Sequence, residues 1–230
     1  MSLLVIFGAG ASYDSAPAFP PSTRPYERPP LANELFQNRP TFVEMMQKFP
    51  ECQPIVPWLR DLPSGTTVEQ RLEEFQADVA THPQRQRQLT AVRFYLQHML
   101  WECQQQWANI HGGITNYKTL FDSIEHWRAQ RNETVEVVTF NYDTMLEEGL
   151  SWLDLKFKRI EDYISDDHYR VFKLHGSVDW IRRVTTPFAR SESLFLNNVM
   201  WGAAHDVIRN ANHLRLSDIT KIETVPELRG

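Results

Sequence analysis

The sequence predicts an α/β protein, a Rossmann-like and mostly parallel sheet carrying a helical insertion. Apolar, β-branched runs recur at Leu3–Phe7, at Val135–Phe140 and in "RVFKL", Arg170–Leu174. Each run stops at a glycine or a polar turn, as buried strands do. Helical periodicity separates the runs, which is the pattern of strand–helix–strand units in a doubly wound sheet.

The elements follow in chain order. Leu3–Phe7 is apolar throughout, as in a strand buried on both faces, and Gly8 closes it. Pro17–Pro30 is too proline-dense for regular structure and reads as an extended loop. "LANELFQ", from Leu31, is the expected start of a helix. Thr67-x-x-Gln70 has capping-box spacing, with Val68, Leu72, Phe75 and Val79 on one helical stripe behind it. After Pro83 the stripe Leu89, Val92, Leu96, Met99, Cys103 and Trp107 predicts a long helix ended by "HGG". Tyr117, Leu120, Ile124 and Trp127 form a further amphipathic face, read as core. The helical insertion is therefore placed at about 31–131. Val135–Phe140 reads as a central strand, "DTMLEEGLSWL" as a short helix, and 201–214 as a helix with a strand near 213–222. Few strands remain after His175, so completion of the sheet is expected from a longer parent chain or from a partner.

Composition narrows the function classes. The chain has 230 residues, 42% of them apolar, with seven tryptophans, which suits a packed globular protein. A formal charge of −5 gives no overall attraction to nucleic acid or anionic membrane. Two cysteines without a CxxC pair exclude a four-cysteine zinc site, and no metal is signalled. The apolar N-terminal run is too short to span a bilayer, and the expected compartment is the cytoplasm.

Three strand ends carry the chemistry. In open α/β sheets, ligands bind beyond the carboxyl ends of the strands. Gly8-Ala9-Gly10, Asn141-Tyr142-Asp143 and His175-Gly176 all fall there. Gly8 and Gly10 suit a turn that lets a phosphate approach the backbone, with the Ser12 hydroxyl as a further donor. The full GxGxxG fingerprint is absent, because Tyr13 occupies its last position. Asn141 can hold ribose hydroxyls or a water. Asp143 can stabilise positive charge or bind a hydroxyl, or it can cap the following helix. His175, at a strand end before a glycine, is a competent general base.

Gly8-Ala9-Gly10-Ala11-Ser12, Thr139-Phe140-Asn141-Tyr142-Asp143 and Lys173-Leu174-His175-Gly176-Ser177, in this order, resemble the motifs of the sirtuin-like family, and most of all its bacterial defence-type branch. The resemblance implies a Rossmann-like fold with NAD+ as substrate. By it, Gly8, Ala9, Gly10 and Ser12 would bind phosphates and the adjoining ribose. Asn141 would position the nicotinamide ribose or attacking water, Asp143 would contact ribose or nicotinamide, and His175 would be the base. The chain lacks the deacylases' zinc module, and no arginine directly follows Phe19, leaving Arg24 and Arg28 as substitutes. The expected activity is thus NAD+ glycohydrolysis to nicotinamide and ADP-ribose, in an anti-phage or anti-plasmid effector. The resemblance further implies restraint by a homo-oligomer or a regulatory partner, a short Argonaute or a HerA-like ATPase. The alternatives are a protein deacylase or ADP-ribosyltransferase, and a non-catalytic NAD or ADP-ribose sensor.

Overall fold

The computed structural model describes residues 2–17, 27–185 and 204–221. They form two compact units. The first, comprising described residues 2–17, 27–31, 100–181 and 219–221, contains a three-stranded sheet. Its strands are β1 (Ser2–Phe7), β2 (Thr134–Thr139) and β3 (Tyr169–Lys173). β2 is central and parallel to both neighbours, as a βαβ architecture requires. Phe7 pairs with Thr139 and Thr139 with Lys173, so the three strands finish level.

One face of this sheet is packed. Phe7, Val135, Val137 and Val171 share a core with Trp107, Tyr117, Phe121, Ile124, Met145, Leu146 and Leu150. These come from the last part of a long helix, Gln84–His111 (α5 in chain order), from α6 (Asn116–Arg131) and from α7 (Met145–Ser151). Full burial of one such side chain contributes about 1.5–3 kcal/mol. α6 starts where the Thr115 side chain accepts a hydrogen bond from the Lys118 amide, and it stops at Asn132 in the left-handed conformation. α6 and α7 approach closely because position 149 is glycine: a Cβ there would stand 2.7 Å from the Cβ of Tyr117.

The opposite face is bare among the described residues. Leu4 and Ile6 on β1, Phe172 on β3 and Leu174 just past it are exposed, Ile6 at 62%. The continuous apolar run of β1 predicted burial on both faces. The structure corrects this: among the described residues β1 is an edge strand with helices against one side only.

The second unit, described residues 32–99, 182–185 and 204–218, is mainly helical. Its helices are α2 (Pro40–Gln47), α3 (Val56–Arg60), α4 (Val68–Ala77) and the first part of α5. Phe42, Phe49, Ile55, Leu59, Tyr95 and Met99 are fully buried, and the Tyr95 hydroxyl donates to the Leu35 carbonyl at 2.7 Å. The Thr67–Gln70 capping box forms as its spacing predicts.

The stretch 31–131 thus divides, with 100–131 belonging to the sheet unit. "LANELFQ" yields one 3-10 turn, Ala32–Glu34, and regular helix waits until Pro40 at the first turn of α2. A strand unforeseen in the sequence, β4 (Trp180–Thr185), pairs with β5 (Arg215–Lys221). Of the expected helix at 201–214, residues 204–209 are helical and Ala211–His213 form a 3-10 turn. No helix among the described residues is long and apolar enough to cross a membrane.

Candidate functional site

The level register brings the three motif-bearing turns out at one edge of the sheet. β1 leads through Gly8 into a five-residue helix, α1 (Ala9–Tyr13). Gly8 has φ −110°, and Gly10 is not among the glycines of positive φ, so neither needs glycine's conformational freedom. What both have is space: a Cβ added at either would meet nothing within 4 Å. The positive φ falls instead in the third motif, at Gly176 (+81°), directly after His175.

Asn141 is buried, at 5% exposure. Its Nδ2 donates to Ser12 Oγ at 2.9 Å and to Tyr117 Oη at 3.1 Å, and these two hydroxyls lie 3.0 Å apart. Hydrogen counting fixes the amide. Three contacts need three hydrogens, and two hydroxyls supply only two. With nitrogen inward the amide adds two more, so every contact is made and one hydroxyl hydrogen remains. The Ser12 hydroxyl also stabilises the ionised form of Asp143, which gives that hydrogen a destination. Oδ1 of Asn141 is then left buried, with no hydrogen-bond partner among the described residues. A buried acceptor in this state is costly unless a donor reaches it.

Ser12 is buried, and its hydroxyl faces Asn141 and Tyr117. Tyr117 comes from α6, where its helical spacing predicted core alone. Burial, then the nearby Asp143 charge, raises its pKa, so the phenol keeps its proton. Nothing in its own sequence neighbourhood marks it; only the fold brings it to Asn141.

Asp143 is buried as well, and its Oδ1 accepts from the Met145 amide at 3.1 Å, so it serves the start of α7. Desolvation raises its pKa despite the opposing charge of Lys173. Lys173, the last residue of β3, belongs to the third motif, which by itself gives it no task. Its buried ammonium donates to the Asp143 carbonyl, to Glu147 Oε1 at 2.8 Å and to Ser177 Oγ at 2.9 Å. Three donors meet three acceptors, which a buried ammonium needs. The Val178 amide donates to the Tyr142 carbonyl at 2.8 Å. Lys173 and Val178 together bind the second motif to the third. Tyr163 donates to Glu147 Oε1 at 2.7 Å, and Lys221 pairs with Asp179 at 2.7 Å.

His175 is different. It is exposed, with its ring stacked on Tyr142 at a centroid distance of 5.7 Å and tilted against Phe140 at 5.5 Å. Of the two candidate arginines, Arg24 lies outside the described residues, as does Phe19. Arg28 is fully buried: it donates to the Tyr13 carbonyl at 2.7 Å and lies over the rings of Tyr13 and Trp107.

Among the described residues no group of three or more His, Cys, Asp or Glu could hold a metal ion. The arrangement presents groups that accept and donate hydrogen bonds: a buried amide oxygen, open backbone at Gly8 and Gly10, and an accessible imidazole. No protein-family model matches the chain, and no curated protein matches it.

Proposed function

We propose that this chain is an NAD+ glycohydrolase, cleaving NAD+ to nicotinamide and ADP-ribose. The observation that carries the reading is the buried Oδ1 of Asn141 at the carboxyl end of the central strand, without a hydrogen-bond partner among the described residues. An acceptor fixed in that position calls for a hydroxyl or water donor, which the nicotinamide ribose and an attacking water both offer. The open space over Gly8 and Gly10 supports a pyrophosphate lying against the backbone there. The resemblance of the three motifs to sirtuin-like sequences points the same way, by analogy.

In this reaction the bond from C1′ to the nicotinamide nitrogen breaks, and its electron pair quenches the pyridinium charge. C1′ gains oxocarbenium character, which a fixed, dry set of dipoles and a carboxylate at Asp143 stabilise. Water adds its oxygen to C1′ and gives its proton to His175. Exposure of His175 lets the imidazole return that proton to solvent. We assign the chain to the effector class of bacterial anti-phage or anti-plasmid defence, held in check by self-association or by a partner such as a short Argonaute or a HerA-like ATPase.

The test is mass-spectrometric detection of nicotinamide and ADP-ribose from NAD+, with genomic-neighbour proteins present and no acyl peptide. Release that Asn141→Ala and His175→Ala both abolish is the expected result. Release that requires an acyl or protein acceptor would replace hydrolysis by group transfer. Tight NAD+ or ADP-ribose binding without product would make the chain a sensor.

A further inference from the structure

We infer that Tyr117 is a positioning residue, whose hydroxyl selects which end of the Asn141 amide faces the ligand. This rests on Asn141 being the group that meets the substrate, and it adds a residue from the helical segment to the machinery.

The ring of Tyr117 has little freedom. It meets Phe7 edge-on at 5.2 Å, and its Cβ abuts Gly149 across the α6–α7 contact. The hydroxyl is thereby delivered to both Ser12 and Asn141. In the hydrogen count it penalises the reversed amide, which would leave one of the three contacts among Asn141, Ser12 and Tyr117 without a hydrogen. With the Tyr117 hydroxyl gone, the Asn141–Ser12 contact remains, and the one serine hydrogen can satisfy it with the amide reversed by turning from Asp143 to Asn141 Oδ1. Asn141 would then present oxygen and nitrogen in turn, and an acceptor would be offered to the substrate only part of the time. Packing alone assigns Tyr117 no such role, since phenylalanine fills the same space.

The experiment compares wild-type protein with Tyr117→Phe, reading the Asn141 side-chain amide by NMR. The resonance pair is assigned by its loss in Asn141→Ala. Tyr117→Phe is expected to speed solvent exchange of this pair about tenfold, the worth of one hydrogen bond. NAD+ turnover should fall about tenfold to a hundredfold through misplacement of a reacting group. Ser12→Ala, which removes the other hydroxyl, is expected to loosen the same pair if the phenylalanine variant proves hard to fold. An amide pair as protected in both variants as in the wild type would overturn the inference, as would unchanged turnover in Tyr117→Phe. A loosened pair in a protein whose wild type does not hydrolyse NAD+ would uphold the positioning and refute the glycohydrolase reading, so the two failures are distinguishable.

Discussion

Asn141 and His175 lie just beyond neighbouring strand ends, yet their surroundings are opposite. Asn141 is buried and fixed by two hydroxyls, in a turn tied down through Asp143, Lys173 and Val178. His175 is exposed and rests on two aromatic rings. A group that must present one atom at one place needs a rigid frame. A group proposed to exchange protons with water, as His175 is, gains from access to solvent. The contrast implies that substitutions around Asn141 change stability as well as function, whereas those at His175 change function alone.

The severest way to break the contrast is at Lys173, which anchors both turns. Lys173→Met should cost about 3–5 kcal/mol, because it leaves Glu147 as an uncompensated buried charge. The midpoint of chemical denaturation reads this directly. Pairing it with Glu147→Leu should recover much of the loss, since the charges then go together. Gly149→Ala comes next. The new methyl would press on the Tyr117 Cβ at 2.7 Å and near the Lys118 amide nitrogen at 3.5 Å. Overpacking of this kind costs about 1–3 kcal/mol, again read from the denaturation midpoint. It should also loosen the Asn141 amide, because the residue it displaces is one of the two that hold it.

A smaller and pH-dependent effect separates Asp143 from its neighbours. Desolvation raises its folded pKa, so the folded state holds this proton more tightly than the unfolded chain. Stability from this group is therefore present at acid pH and is lost as pH rises through the raised value. Asparagine keeps the acceptor for the Met145 amide and carries no charge. Asp143→Asn should thus gain stability relative to wild type as pH climbs from the ordinary carboxylate range towards neutrality. Thermal melts of both proteins over that range check the sign; a difference that stays flat or shrinks would contradict it. Glu148, whose pKa is also raised by burial, is present in both proteins and contributes the same sign to each.

The sequence announced the strand ends because their signals are local. An apolar run closed by Asn141-Tyr142-Asp143 or by His175-Gly176 is legible within a dozen residues, and the parallel register then sets those ends level. Tyr117 and Lys173 were illegible as site residues for the opposite reason. The partners of Tyr117 lie 105 and 24 residues away, and two of the three acceptors of Lys173 lie 30 and 26 residues away, so only the tertiary fold reveals these contacts. Burial of β1 on both faces was misjudged because an apolar run records what a strand can tolerate and not what covers it. β4 was missed because "WIRRVT" alternates too weakly to stand out from a loop.

The gentlest substitution is the sharpest test of the contrast. His175 is exposed, and Gly176, not the histidine, supplies the left-handed backbone of its turn. His175→Ala removes ring contacts with Phe140 and Tyr142 that are themselves partly open to solvent, so the unfolding free energy should move by less than about 0.5 kcal/mol. Turnover of NAD+ should nevertheless disappear if the imidazole takes the proton from water. Denaturation curves and product release on the same preparation decide the matter. Loss of activity with an unmoved midpoint separates chemistry from scaffold at this strand end. A large loss of stability would instead make His175 part of the frame, and the asymmetry between the two turns would fall.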